Sequence, residues 1–188
     1  MPDLPSVTPK SRAEWRAWLQ KHHERSAGVW LVMAKKASKL PTVAYVDAVE
    51  EALCFGWIDG VVNPVDGTYY KQSFTPRKPK SAWASTNKAR VDKLIAAGLM
   101  MPAGMKAIEI AKQNGAWSAH DAVEAMTMPD DLLKALKKVK GAKAVWDAYP
   151  ASVKKQCFYR LANAKREETR AKRLAAIVTA AAKGERPL

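Results

Sequence analysis

The 188-residue sequence predicts an α+β fold, a small N-terminal antiparallel sheet with flanking helices followed by an all-helical C-terminal part. Three observations carry this reading. Runs rich in β-branched and aromatic residues, "VWLVMAKK" (29–36) and "IDGVVNPVDGTYYKQSF" (58–74), fall before residue 75. A cationic loop with two prolines, "TPRKPKSAW" (75–83), closes the β region. Beyond residue 118 the apolar residues recur at helical spacing. The expected domains are 1–117, α+β with the hairpin and cationic loop, and 118–188, helical and basic.

Residues 1–10 carry three prolines and read as an irregular arm. Ser11 and Glu14 form a capping box, each side chain able to satisfy the other's free backbone N–H. The helix they open places Trp15, Trp18, Leu19 and His22 on one side, and Gly28 ends the segment. Residues 29–36 read as a buried strand. The next helix has Val46, Val49, Leu53 and Trp57 at helical spacing, with Asp47 in the first turn, where the helix dipole favours a carboxylate. It runs into "CFGWIDG" (54–60), which crowds a thiol, two aromatics, an acid and two glycines into one short stretch. A hairpin then turns at Pro64-Val65-Asp66-Gly67, with Asp-Gly supplying the bend.

Residues 85–98 predict a helix with Val91, Leu94 and Ile95 inward and Gly98 as its stop. Pro102 suits the first turn of a helix running to Asn114-Gly115. Residues 129–139, 142–149, 152–166 and 168–184 all read as helix. Their inward stripes include Val153, Cys157, Leu161 and Ala164, then Leu174, Ile177, Val178 and Ala181.

Lys and Arg number 32 against 18 Asp and Glu, a formal charge of +14, so the surface attracts nucleic acid, acidic lipid or small anions. From Pro150 onward ten basic residues face three acidic ones, which places half of that excess at the C-terminal end. The N-terminal residues lack the apolar region of a secretory signal, and "LAAIVTAAA" (174–182) is too short to span a bilayer. Cys54 and Cys157 suggest no disulfide framework. These features predict a cytoplasmic protein.

Three segments, "EEALCFGWIDGVV" (50–62), "FTPRKPKSAWASTNKARVDKLIAAGLM" (74–100) and "NAKREETRAKRLAAIV" (163–178), together resemble the YdeI/OmpD-associated family of bacterial proteins, whose C-terminal part is called the bacteriocin-protection domain. One departure is visible: near the third segment the family tends to have Trp-Ile where this chain has Arg160-Leu161, a change that bears on the packing of one helix face. The resemblance implies an α+β N-terminal domain and an association with stress and antimicrobial tolerance. It brings no catalytic residues and no cofactor.

Chemistry concentrates around the hairpin. Its pairing brings Trp57, Asp59, Arg77, Lys78, Lys80, Ser81 and Trp83 toward one end, where cations beside a hydroxyl and a helix start suit an anion and the aromatics suit a flat ring. The competing account is structural, with Asp59 bridging Arg77 and both tryptophans in the core. Asp59 and Arg77 are expected to meet in either case, directly or through one bound group. Lys165, Arg166, Arg170, Lys172 and Arg173 suit the phosphates of nucleic acid, or equally a solvated face paired with Glu167 and Glu168. An enzyme using Cys54 or Asp59 is the weaker alternative, since no histidine lies near Cys54 in sequence. His22 and His23 diverge by roughly 100° on a helix, and no metal-binding spacing is present. The sequence thus predicts a binding or tolerance factor for an anionic ligand, with nonspecific nucleic-acid binding through the C-terminal helices as the alternative. No residue is assigned a catalytic role.

Overall fold

The computed structural model describes residues 4–187 and divides into two units between Trp117 and Ser118. In the first unit, β2 (Val29–Ala34) and the hairpin strands β3 (Trp57–Pro64) and β4 (Tyr69–Pro76) pair antiparallel, β2 with β4 and β4 with β3. A two-residue strand, β1 (Ser6–Val7), joins β2 in parallel and gives the order β1-β2-β4-β3. The arm expected to be irregular therefore contributes an edge. Two residues are too few to show the alternation that marks a strand. Residues 1–3 of that arm lie outside the described residues.

The turn of the hairpin is held by Asp66, whose Oδ1 accepts the N–H groups of Thr68 (2.7 Å) and Tyr69 (2.8 Å). These bonds hold the Asp66 carboxyl below the usual carboxylate range. A register shift between Asp59 and Val62 marks a bulge in β3, and both Val61 and Val62 are exposed there.

Helices α1 (Arg12–His22), α2 (Tyr45–Cys54), α3 (Ser85–Ala96) and α4 (Pro102–Gln113) complete the unit. Val29, Leu31, Met33 and Phe74 from the sheet share a core with Trp15, Leu19, Val49, Leu53, Val91 and Ile108 from the helices. Ser11 Oγ accepts the Glu14 N–H at 3.2 Å, but Glu14 Oε2 accepts the N–H of Lys10 and not that of Ser11, so only half of the expected capping box forms. Val46 and Ile95, expected inward, are 49% and 43% exposed, and Trp57 has already left its helix for β3. A buried carboxylate ties α1 to α2: Glu51 accepts Arg12 Nε and Arg16 Nη1, each at 2.6 Å, while Arg12 Nη1 reaches Asp47 and Glu50.

The second unit consists of α5 (Asp121–Glu124), α6 (Asp130–Lys138), α7 (Ala142–Ala148), α8 (Ala151–Ala162) and α9 (Glu167–Lys183), and no strand occurs among its described residues. Leu132, Leu136, Trp146, Cys157, Phe158, Leu161, Ile177 and Ala181 form its core. The short α5 was not expected, because a single turn offers too few residues for a helical period to show. Arg170 on α9 donates through Nε to Asp131 Oδ2 (2.7 Å) and through Nη2 to Oδ1 (3.0 Å), a two-pronged clamp onto the first turn of α6.

Helices α2 and α4 meet at backbone contact. A Cβ on Gly104 would lie 2.3 Å from the Cys54 carbonyl oxygen and 2.7 Å from that of Leu53, neither of which can turn aside. Gly104→Ala is therefore expected to lower stability by about 3 kcal/mol, read from urea melts of the full chain. The Arg170 bond also holds the Asp131 carboxyl below the usual carboxylate range. A carboxyl with a lowered folded-state pKa stabilises above its unfolded value, and the benefit is lost as pH falls through the folded one. The stability difference between wild type and Asp131→Asn should be constant above about pH 5 and shrink below about pH 4.

Candidate anion site

The sequence "CFGW" turns α2 into β3 through Gly56, which sits at φ +72°. A Cβ there would lie 2.9 Å from the Ala103 carbonyl oxygen, so the same residue permits the bend and the approach of α4. Met101 N–H donates to the Cys54 carbonyl (3.1 Å), fixing the start of α4 against this turn.

On the other side, β4 runs on to Pro76, paired with Trp57, and the N–H of Arg77 donates to the Gly56 carbonyl at 2.9 Å. The following loop is tied down along its length. Ser81 N–H donates to the Lys78 carbonyl, Asn114 Nδ2 to the Pro79 carbonyl, and Trp83 N–H to the Ala116 carbonyl.

A cavity of about 250 Å³ opens between these parts. Phe55, Trp57, Pro76 and Trp83 line it from the strand side, Ala103, Ala107 and Ile110 from α4, and Arg77 and His23 complete the wall. The exposed Lys78, Lys106 and Glu24 also line it. Arg77 lies over the Trp83 ring, its Cζ 3.8 Å from the centroid, and Nη2 donates to the Ala82 carbonyl at 2.6 Å and the Ser81 carbonyl at 3.4 Å. Arg77 Nε and Nη1 are buried without a hydrogen-bond partner among the described residues, and so is Trp83 Nε1. Burial pushes the Arg77 pKa down to about 10, with the charge of Asp59 working the other way, so the group remains a cation at neutral pH.

Of the residues expected here, Trp57, Arg77, Lys78 and Trp83 line one cavity, whereas Asp59, Lys80 and Ser81 do not; Ser81 takes part through its carbonyl. A direct meeting of Asp59 and Arg77 is corrected: no ion pair or hydrogen bond joins them among the described residues. The pairing places Asp59 opposite Phe74 and carries Arg77 past Pro76 to Gly56, and the guanidinium folds over Trp83. Asp59 Oδ2 instead accepts from Tyr45 Oη and Gln72 Nε2, both at 2.9 Å. Sequence reasoning missed Phe55, Lys106, Ala107 and Ile110. Phe55 stood within the quoted stretch, but the α4 residues come from a distant helix whose approach only Gly104 and Pro102 hint at.

The other candidates are dispersed. Cys54 is fully buried, and its burial and the neighbouring Glu51 push the thiol pKa up, the reverse of an activated nucleophile. In the second unit Arg170 is held by Asp131, Lys172 by Glu168 (2.7 Å), and Arg173 donates to the Arg160 carbonyl. Lys165 and Arg166 are exposed, with no ion pair among the described residues. Arg160, at the position of the family departure, is half-buried with Nη1 unpartnered among those residues, while Leu161 joins the core. Among the described residues no cluster of His, Cys, Asp and Glu is arranged to hold a metal, and no helix is long and apolar enough to cross a membrane.

Because Asp59 bonds only to neutral groups, Asp59→Asn should cost about 1 kcal/mol in a urea melt, well short of the loss expected on breaking a buried ion pair.

Residues 7–107 match the family model described as "Domain of unknown function (DUF8412)". Residues 125–184 match the model described as "Bacteriocin-protection, YdeI or OmpD-Associated". The first two resembling segments lie within the former match and the third within the latter. Neither the curated proteins nor the solved structures include a significant match. With more than half of its length matched by the first model, the chain belongs to the DUF8412 family and carries a bacteriocin-protection, YdeI or OmpD-associated domain in its second unit.

Proposed function

We propose that the N-terminal unit is a binding module for a small anion, held in the cavity against Arg77. The observation that carries this is the Arg77 guanidinium, whose Nε and Nη1 are buried with neither a carboxylate nor a carbonyl to accept from them. A buried cation without a counter-charge is costly, and buried donors are nearly always satisfied. An anion in the cavity beside the guanidinium supplies the missing counter-charge. The description of the family model matched at 125–184 favours a protective role, so the protein acts as a tolerance factor that captures or senses this anion in the cytoplasm.

Nonspecific nucleic-acid binding by the second unit finds less support. Arg170 and Lys172, two of its expected phosphate contacts, already face Asp131 and Glu168.

Native mass spectrometry of the full chain purified from its host should reveal a retained small anion that is lost in Arg77→Met. The same substitution should change stability by no more than about 1 kcal/mol, because removing an uncompensated buried charge offsets the lost carbonyl bonds. A melt that collapses, with the anion retained by the folded fraction, would make Arg77 a structural residue.

A further inference from the structure

We infer that His23 is the residue that holds the cavity's anion directly, as an imidazolium, so that the anion is taken up together with a proton. The inference rests on the reading of the cavity as an anion site and deepens it, assigning a contact residue and a dependence on pH.

The need for such a residue comes from Arg77 itself. Its Nε and Nη1 are buried, and its Nη2 is taken by the Ala82 and Ser81 carbonyls, so the guanidinium acts on the cavity through its charge and not through an open N–H. The lysines on the wall, Lys78 and Lys106, are exposed and hydrated, and fixing a long ammonium chain in one place costs rotamer entropy. His23 lines the same cavity with only 16% of its side chain exposed.

The imidazole is already held in place. The His23 carbonyl accepts Trp57 Nε1–H at 3.2 Å, the ring centroid lies 5.0 Å from that of Phe55, and Nδ1 lies 2.9 Å from the Leu19 carbonyl oxygen. A carbonyl oxygen only accepts, so Nδ1 carries a proton in both charge states and Nε2 is the nitrogen that titrates. Nε2 makes no hydrogen bond among the described residues, and it lies 3.9 Å from Oε1 of Glu24, which also lines the cavity. Neutral, Nε2 presents a lone pair that repels an anion. Protonated, it presents an N–H and a positive charge.

Charge links the proton to the anion. The charged groups that share the cavity with His23 are Arg77 just beyond β4, Lys78 in the loop that follows, Lys106 on α4 and its own neighbour Glu24, with Arg16 of α1 over the Phe55 ring. His22 stacks on Trp18 instead. Three lining cations against the one exposed carboxylate disfavour a further positive charge while the cavity is empty. An anion reverses that balance and accepts from Nε2–H. By linkage, the proton and the anion strengthen each other's binding by the same factor. Histidine changes charge between about pH 5 and pH 8, so affinity should rise as the pH falls through that range.

Sulfate is the probe, titrated calorimetrically into the full chain, because its own charge is constant between about pH 5.5 and pH 8. It should bind about tenfold more tightly at the lower pH. Near pH 6.5, titrations in buffers of different ionisation enthalpy should show uptake of at least about 0.3 proton per sulfate. His23→Asn, whose amide can still donate to the Leu19 carbonyl, should abolish both the uptake and the pH dependence. The chain has three histidines, and the double variant His22→Asn/His120→Asn, which leaves only His23, should keep both. Glu24→Gln, which removes the carboxylate nearest Nε2, should keep them too. Sulfate that fails to bind the folded wild-type chain at either pH would overturn the anion site and this inference together. Sulfate binding without a linked proton, an uptake that survives His23→Asn, or one lost in His22→Asn/His120→Asn or in Glu24→Gln would overturn the assignment of His23 and leave the anion site standing.

Discussion

Backbone contact between α4 and the end of α2 is the constraint on which the first unit's site depends. Gly104 lets the Leu53 and Cys54 carbonyls approach α4 more closely than a side chain would allow, and Gly56 leaves room for the Ala103 carbonyl in return. The bond from Met101 N–H to the Cys54 carbonyl then fixes the register of the two helices. With α4 held there, Ala107 and Ile110 face the turn that carries Phe55 and Trp57 into β3, and an apolar hollow remains between them. A bulkier residue at either glycine would separate the elements that wall it.

Arg77 acquires its character from this enclosure. Its backbone is committed to β4 by the bond to Gly56, and the loop that follows is tied through Pro79 and Trp83 to the segment after α4. The side chain therefore folds over Trp83, where two carbonyls satisfy Nη2 and leave Nε and Nη1 unmet. Contrast Glu51, more deeply buried but with a guanidinium on each oxygen. One buried charge is matched within the protein and the other is not. That difference separates the structural ion cluster at Glu51 from the anion site proposed at Arg77.

Much of this was legible in the sequence, and the gaps have physical reasons. The hairpin was readable because Asp-Gly sits between two β-rich runs, and the C-terminal helices because their apolar stripes repeat over several turns. Trp57, Arg77, Lys78 and Trp83 were found because hairpin pairing is local, so a turn and its register place both ends together. Asp59 was misjudged because β4 extends to Pro76, which moves Arg77 beyond the reach of its carboxylate; two residues of strand decided the matter. Lys106, Ala107 and Ile110 were invisible because tertiary packing alone brings α4 to the turn. The basic C-terminal helix was readable as cationic, but which charges are already paired depends on Asp131, a residue far away in sequence.

The central claim, that the Arg77 guanidinium is the counter-ion of a bound anion, can be seen directly in a crystal. Crystals of the full chain grown with bromide would allow its position to be read from anomalous scattering. The account predicts an anomalous peak inside the cavity, beside the Arg77 side chain. A cavity without bromide, with Arg77 turned to solvent or paired with a carboxylate of the chain itself, would contradict it.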